Sequence, residues 1–365
     1  MVFSIIVFFY FVVIQFLENN TRGYINKGLS VFVLILSFII LNIVRVYAQS
    51  FFPDIPNYKL LFEPIHPISF VIESGYGLDD YNSNVEIGFR VLISIFKLFS
   101  NNFSFFLFFI SFFQLLVFSF FCKKYKVHLV NAIPIYFALT YLTFQIGMSR
   151  QALAFCFFLL ALVYINRKIV YILFLILGAT FHTSILFCII FLWSDKFVNR
   201  SFLYVIFLIS LVLYLLEIDI VSSFLPLLEL QDTIQTGRID YYVNVNRANS
   251  YLGIGFWDRL LLFVLMNLVY TEMLKKNRIN KKNNLIFNLG VSVIIIQMIF
   301  FSSPTITSRL RYYIVIFPLI FISEYIYSEY VSSNSKFQFK LKWLYQILFV
   351  LYLLMYLYFQ ATYLV

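Results

Sequence analysis

Three arginines stand at the ends of apolar runs, where a guanidinium is costly: Arg150 in Gln145-Ile146-Gly147-Met148-Ser149-Arg150-Gln151, and Arg309 and Arg311 in Ser308-Arg309-Leu310-Arg311-Tyr312-Tyr313. A charge in or at the edge of a bilayer costs about 3 kcal/mol unless it has a partner, so each arginine marks a site, and the partner it calls for is an anion. Arg150 follows Gly147, a helix breaker, and Ser149, a good N-cap. That spacing puts it at the start of the next helix, where an anion meets both a guanidinium and free backbone N–H groups. A snorkelling headgroup contact is the bland alternative. An outer-face Arg runs against the inside bias of basic residues, which weighs for a functional role. Arg309 and Arg311 follow Ser302–Ser308, read as an outer turn. Residues two apart do not share a helix face, so one of the pair points into a given pocket and the other is left to lipid headgroups. A planar, always-charged guanidinium suits pyrophosphate better than an ammonium does.

Four further residues are candidates. His182 lies in Ala179-Thr180-Phe181-His182-Thr183-Ser184, inside an apolar run. A buried imidazole needs hydrogen-bond partners, and it can act as a general base, a donor to phosphate or a structural group. Arg45 and Asp54 bracket the outer end of the second run, where they either form an ion pair that holds the loop or take part in chemistry. Glu86 opens an amphipathic stretch and either complements its dipole or faces a substrate. His66 and His128 are loop residues without a constellation. There is no G-x-S-x-G, H-E-x-x-H, P-loop or D-x-D, which points to chemistry without a divalent metal or other cofactor. The acidic pair Glu217 and Asp219 is the nearest approach to a metal-binding motif.

The elements that position these residues follow from composition. Of 365 residues, 62% are hydrophobic and 12% charged, with mean hydropathy +0.89, which excludes an ordinary soluble domain. The expected class is all-α: a polytopic transmembrane bundle of about 10–12 spans in a single domain over residues 1–365, since barrel strands would alternate instead. Apolar runs fall at 2–17, 29–46, 103–121, 129–146, 150–165, 169–192, 202–216, 258–274, 285–301, 309–327 and 341–359. The first lacks a basic leader and a small-residue cleavage site, so it reads as a retained span. Cys122, Cys156 and Cys188 show no paired spacing and read as apolar filler.

The net charge of +10 does not signal nucleic acid, because the basic residues sit in short clusters beside apolar runs. Lys123-Lys124-Tyr125-Lys126, Lys275-Lys276-Asn277-Arg278 with Lys281-Lys282, and Lys336, Lys340 and Lys342 mark a cytoplasmic side. The acidic segments 47–88 and 217–257 then lie outside. Crossing parity between Arg167-Lys168 and 217–257 fails unless one run does not cross. Either 169–192 breaks at Gly178–Ser184 into a re-entrant hairpin, with His182 facing a wet cavity, or 202–216 lies on the surface. Residues 89–102, with apolar positions at helical spacing plus Arg90 and Lys97, read as an amphipathic helix on the outer face, which with the preceding residues makes the extracytoplasmic segment 47–102.

In order and spacing these features resemble the EpsG/Wzy-type polysaccharide polymerases of bacterial inner membranes, related in architecture to the O-antigen ligases. The resemblance rests on Arg45 with Pro53-Asp54 and Tyr58, on Glu86-Ile87-Gly88-Phe89, on Met148-Ser149-Arg150-Gln151-Ala152-Leu153-Ala154, on Ala179–Ser184 and on Ser308–Tyr312. It covers most of the chain from the second run to the tenth. Ala152 departs from a position where relatives carry glycine, and 217–257 matches no pattern of the family. The resemblance implies a donor glycan on undecaprenyl pyrophosphate, attacked by a sugar hydroxyl of a second lipid-linked unit. It implies Arg150 and Arg311, supported by Arg309 and Arg45, on pyrophosphate, His182 as base or phosphate donor, and Glu86 or Asp54 orienting the acceptor. Membrane lipids and a chain-length-determining membrane protein are the other expected partners. A ligase would use the same clamp. A lipid-linked oligosaccharide flippase would be built from two related halves, and an acyltransferase from an early histidine pair, and neither pattern is present.

Overall fold

The computed structural model describes residues 54–74, 85–196, 200–218, 254–301 and 304–332, with Tyr10, Val13 and most of 35–45. The first and last apolar runs and nearly all of 217–257 lie outside the described residues. Every regular element among the described residues is helical. Helix α4, Phe103–Lys124, and helix α10, Lys281–Ile299, are long and apolar enough to cross a membrane. Much of the exterior is as apolar as the core. Phe105, Phe108, Phe112 and Leu116 project outward from α4, and Val205, Leu208 and Ile209 from helix α8, Arg200–Leu215. Such surfaces call for a non-aqueous neighbour.

The described residues fall into two compact units, one reaching Ile189 and resuming at Ile326, the other spanning Ile190–Tyr325. In the first, α1 (Asp54–Phe62), α2 (Ile68–Ser74) and α3 (Ile87–Phe96) precede α4. The α3 face carrying Phe89, Ile93 and Phe96 is buried against Tyr58, Phe62, Phe106 and Leu153, so the amphipathic face expected at the lipid surface packs into protein. Phe62 and Phe96 meet Phe106 at ring-centroid distances of 5.2 and 5.1 Å. Each buried ring contributes roughly 2 kcal/mol, which keeps α1 and α3 docked on α4.

After α4 the chain forms α5, Leu129–Tyr136, and continues as a π-helix over Phe137–Ile146. Pro134 inside α5 removes one ladder donor just before the wider winding begins. A turn at Gly147 then leads into α6, Ser149–Val163, confirming the break expected there. Next comes α7, Lys168–Ala179, which ends where the sequence suggested, followed by a 3-10 helix over Thr183–Trp193. These two segments fold back on each other. The Tyr171 hydroxyl donates to the Cys188 carbonyl at 2.6 Å across a sequence separation of 17, which a straight helix would stretch to about 25 Å. Ile185 presses into the space left at Gly178, where an added Cβ would lie 2.3 Å from the Ile185 Cδ1 and 3.0 Å from the Phe157 Cβ on α6. All three cysteines are buried thiols.

In the second unit, α8 and α9 (Ile254–Lys275) pack on α10. The Asn288 amide donates to the Ser194 and Lys196 carbonyls at 2.7 and 2.9 Å, and Lys282 pairs with Glu324 at 2.6 Å. The run expected as one span over 309–327 is divided. Helix α11, Pro304–Arg311, ends at the second arginine, a turn occupies Tyr312–Ile316, and α12 runs Phe317–Ser332. Pro318 accounts for this, since it fits the first turn of α12 but disfavours helical backbone just before it. Pro304 opens α11. The outer turn expected over 302–308 is therefore helical from Pro304.

Each leg of the 168–193 hairpin, at roughly 18 to 22 Å, falls short of a hydrocarbon layer of about 30 Å. In a background with the native cysteines replaced by alanine, Lys168→Cys and Lys196→Cys should react with an impermeant maleimide from the same face of oriented vesicles. Labelling from opposite faces would mean that the segment crosses.

Candidate active site

One backbone hydrogen bond assembles the site. The N–H of Gly88, in the first turn of α3, donates to the carbonyl of Thr180 at the end of α7, at 2.8 Å. The first N–H groups of a helix and its last carbonyls have no partner in their own ladder, and here one end satisfies the other. The approach requires glycine. An added Cβ at Gly88 would lie 2.3 Å from the Thr180 Oγ1 and 2.7 Å from its carbonyl oxygen.

The contact brings Glu86, which caps α3, close to the break that carries His182. The Glu86 carboxylate makes no side-chain capping bond; it forms an ion pair and a hydrogen bond with Arg150. Arg150 is the second residue of α6, as the sequence suggested, and Tyr58 of α1 hydrogen-bonds the same guanidinium. Arg150 and Glu86 keep 30% and 22% of their side chains exposed, so the pair is reachable from outside.

Ser149 does not cap α6. Met148 holds that position, and the Ser149 hydroxyl accepts from Arg45 Nη2 at 2.7 Å. A guanidinium buried to 0% exposure must be satisfied, and that demand takes the hydroxyl away from the helix end. Arg45 Nη1 also donates to the Gln114 Oε1 on α4 at 3.1 Å. Arg45 thus tethers α4 to the turn preceding Arg150 and meets no open surface. Tyr58, Tyr136 and Tyr141 lie in its electrostatic neighbourhood. Tyr58 therefore touches the surroundings of both arginines.

At the break, the Ser184 backbone N–H donates to His182 Nδ1 at 3.3 Å, and the Ser184 hydroxyl lies 2.8 Å from the same nitrogen. A backbone N–H can only donate, so Nδ1 carries the lone pair and the neutral ring holds its proton on Nε2. The Gln151 Nε2 reaches the Ser184 hydroxyl at 3.4 Å, linking the residue after Arg150 to the histidine. Phe181 stacks on Phe157 at 5.2 Å and fixes the turn between them.

Glu86, Arg150, His182 and Arg45 thus belong to one connected arrangement in the first unit. Asp54 opens α1, four residues before Tyr58. Arg309 and Arg311 lie in the last turn of α11 in the second unit, where the carbonyl end of the helix favours cations. The Arg311 guanidinium lies 5.6 Å from the Tyr312 ring, and Arg259, on α9, is within electrostatic reach of it and hydrogen-bonds Tyr214. The sequence reading passed over Arg259, although Trp257-Asp258-Arg259 at the head of an apolar run carries the same signal as Arg150. It gave Tyr58 and Gly88 no role, and Gln114, lone and polar in an apolar run, was the available clue to Arg45's partner. Among the described residues no His, Cys, Asp and Glu groups gather at metal-binding spacing.

A guanidinium at a helix start, held by an exchangeable carboxylate beside an N–H-bearing imidazole, can bind a multiply charged anion and deliver a proton donor and a proton acceptor to its edge. No curated protein and no solved structure matches the chain. The sequence profile of the EpsG family matches residues 31–364, nearly the whole length, so the chain belongs to the EpsG family, a Wzy-type polysaccharide polymerase family, and is a membrane protein.

Proposed function

We propose that this protein is a polytopic enzyme of the bacterial inner membrane that joins glycan repeat units carried on undecaprenyl pyrophosphate at the outer face, without nucleotide or metal. The observation that carries the reading is the Arg150–Glu86 pair at the first turn of α6, beside His182. The donor pyrophosphate displaces Glu86 and seats on Arg150 and the α6 N-terminus. The acceptor hydroxyl oxygen attacks the anomeric carbon, and the bond from that carbon to the pyrophosphate oxygen breaks with its electron pair leaving on the phosphate. His182 donates its Nε2 hydrogen bond to the departing oxygen, and the displaced Glu86 carboxylate takes the hydroxyl proton. Arg45 acts through Ser149 by fixing the turn that aims Arg150. Asp54 orients the acceptor, and Arg309 and Arg311 hold phosphate of a lipid-linked substrate or a membrane lipid. A chain-length-determining membrane protein is the expected partner.

The purified protein with its native undecaprenyl-pyrophosphate repeat unit, free of nucleotide and metal, should produce a product ladder. Arg150→Ala and His182→Ala should each slow it by about 10²–10³-fold, the cost of removing one donor to a developing negative charge, with thermal unfolding unchanged. A folded wild type that yields no ladder would overturn the polymerase reading.

Gly88→Ala tests the geometry separately. The added methyl must move α3 away from Thr180, and a shift of about 1 Å in catalytic alignment costs roughly 100-fold in turnover. Turnover should fall by about that factor while α3, held by Phe89, Ile93 and Phe96, stays docked. Turnover within a few-fold of wild type would show that the Gly88 contact does not set the chemistry.

A further inference from the structure

The first unit holds a cavity of about 880 Å³ at the far end of α3 from Arg150, bounded by residues of α1, by the α1–α2 link and by the start of α4. Its volume lies within the range of small-molecule sites. Phe62 and Phe103 supply the apolar part of the wall, and His66, Asn101 and Ser104 supply groups that donate and accept.

The charged groups of the wall are engaged with their neighbours. Lys59 faces Glu63 at 3.9 Å across one helical turn. Lys97 donates to the Glu63 carbonyl at 3.0 Å and lies 4.6 Å from the centre of the Phe62 ring. The cavity thus offers no concentrated field of one sign, as a phosphate site would. It offers mixed hydrogen bonding beside aromatic edges, which suits a polyol whose hydroxyls both donate and accept.

Its placement adds a second argument. Helix α1 sends Tyr58 toward Arg150 and lines the cavity with Lys59 and Phe62, and α3 runs from Glu86 at Arg150 to Lys97 in the cavity wall. Eleven residues of helix separate those ends by about 16 Å, within reach of an oligosaccharide but not of a single sugar.

We propose that this cavity is a saccharide subsite that holds sugars of the repeat unit away from the reacting bond and contributes to the choice of glycan. The proposal rests on the polymerase reading of the Arg150 site for its biological role, but binding can be measured without catalysis. The probe is the oligosaccharide repeat released from the host strain's own polysaccharide, and the readout is saturation-transfer NMR on the protein in zwitterionic nanodiscs.

Asn101 is exposed, so Asn101→Trp fills the cavity without touching the core. Saturation transfer should be seen with wild type and with Arg150→Ala, and should be lost with Asn101→Trp. In the ladder assay, Asn101→Trp should raise KM about tenfold and leave kcat near wild type. Absence of transfer with wild type, or equal transfer with Asn101→Trp, would overturn the subsite whatever the ladder assay gives. Transfer from glycerophosphoglycerol that displaces the oligosaccharide would make the cavity a lipid-headgroup site and would also overturn it. A wild type that binds the oligosaccharide but builds no ladder would uphold the subsite and remove only the polymerase reading.

Discussion

The geometry of the first unit depends on the hydrogen bond from Gly88 to Thr180. A broken helix inside an apolar protein exposes carbonyls that lipid cannot satisfy, and each such group costs several kcal/mol. Here the end of α7 is closed by the start of α3, with Gly88 lying 92 residues before Thr180 in the chain. Because that bond involves two backbones at contact distance, its geometry is tighter than side-chain packing would impose. Glu86 lies two residues from one partner and His182 two from the other, so the bond that seals the break also fixes the spacing of these two candidate groups.

The arginines illustrate two ways of keeping a guanidinium in a low-dielectric setting. Arg45 is wholly enclosed and donates to neutral acceptors, Gln114 and Ser149, among tyrosines. Its bonds can be broken only by opening the core, which suits a structural tether. Arg150 is partly exposed and holds a carboxylate. A partly solvated ion pair is worth little net free energy because solvent screens both ions, and it exchanges readily with a better anion. The same residue type is an enclosed tether in one place and a partly exposed, exchangeable ion pair in the other, according to burial and partner.

Local signals made part of this legible in the sequence. A glycine and a serine before an arginine, and a histidine between threonines in an apolar run, stand out against Phe, Ile and Leu, and both marked real breaks, at Gly147 and at Thr180–His182. Charge parity left two arrangements open, a break within 169–192 or a surface run at 202–216, and the Tyr171–Cys188 bond agrees geometrically with the break. Pairings over long separations were not legible. Glu86 meets Arg150 across 64 residues and Arg45 meets Ser149 across 104, and no local pattern encodes either partner. Ser149 looked like a cap because propensity counts only neighbours, whereas the distant Arg45 made the stronger claim on its hydroxyl. The division of 309–327 was missed for another reason: hydropathy averages over Pro318, whose effect lies in the backbone.

The pairing of Glu86 with Arg150 also bears on the timing of chemistry. While Glu86 holds Arg150, the guanidinium occupies the carboxylate oxygen that would otherwise accept a proton from a hydroxyl. If pyrophosphate takes its place on Arg150, that oxygen is released when the leaving group is seated and not before. His182 complements this, since the Ser184 N–H engages Nδ1 and leaves the proton of the neutral ring on Nε2. On the proposed mechanism, donor binding therefore does two things through one exchange of partners: it neutralises the leaving group and readies the base.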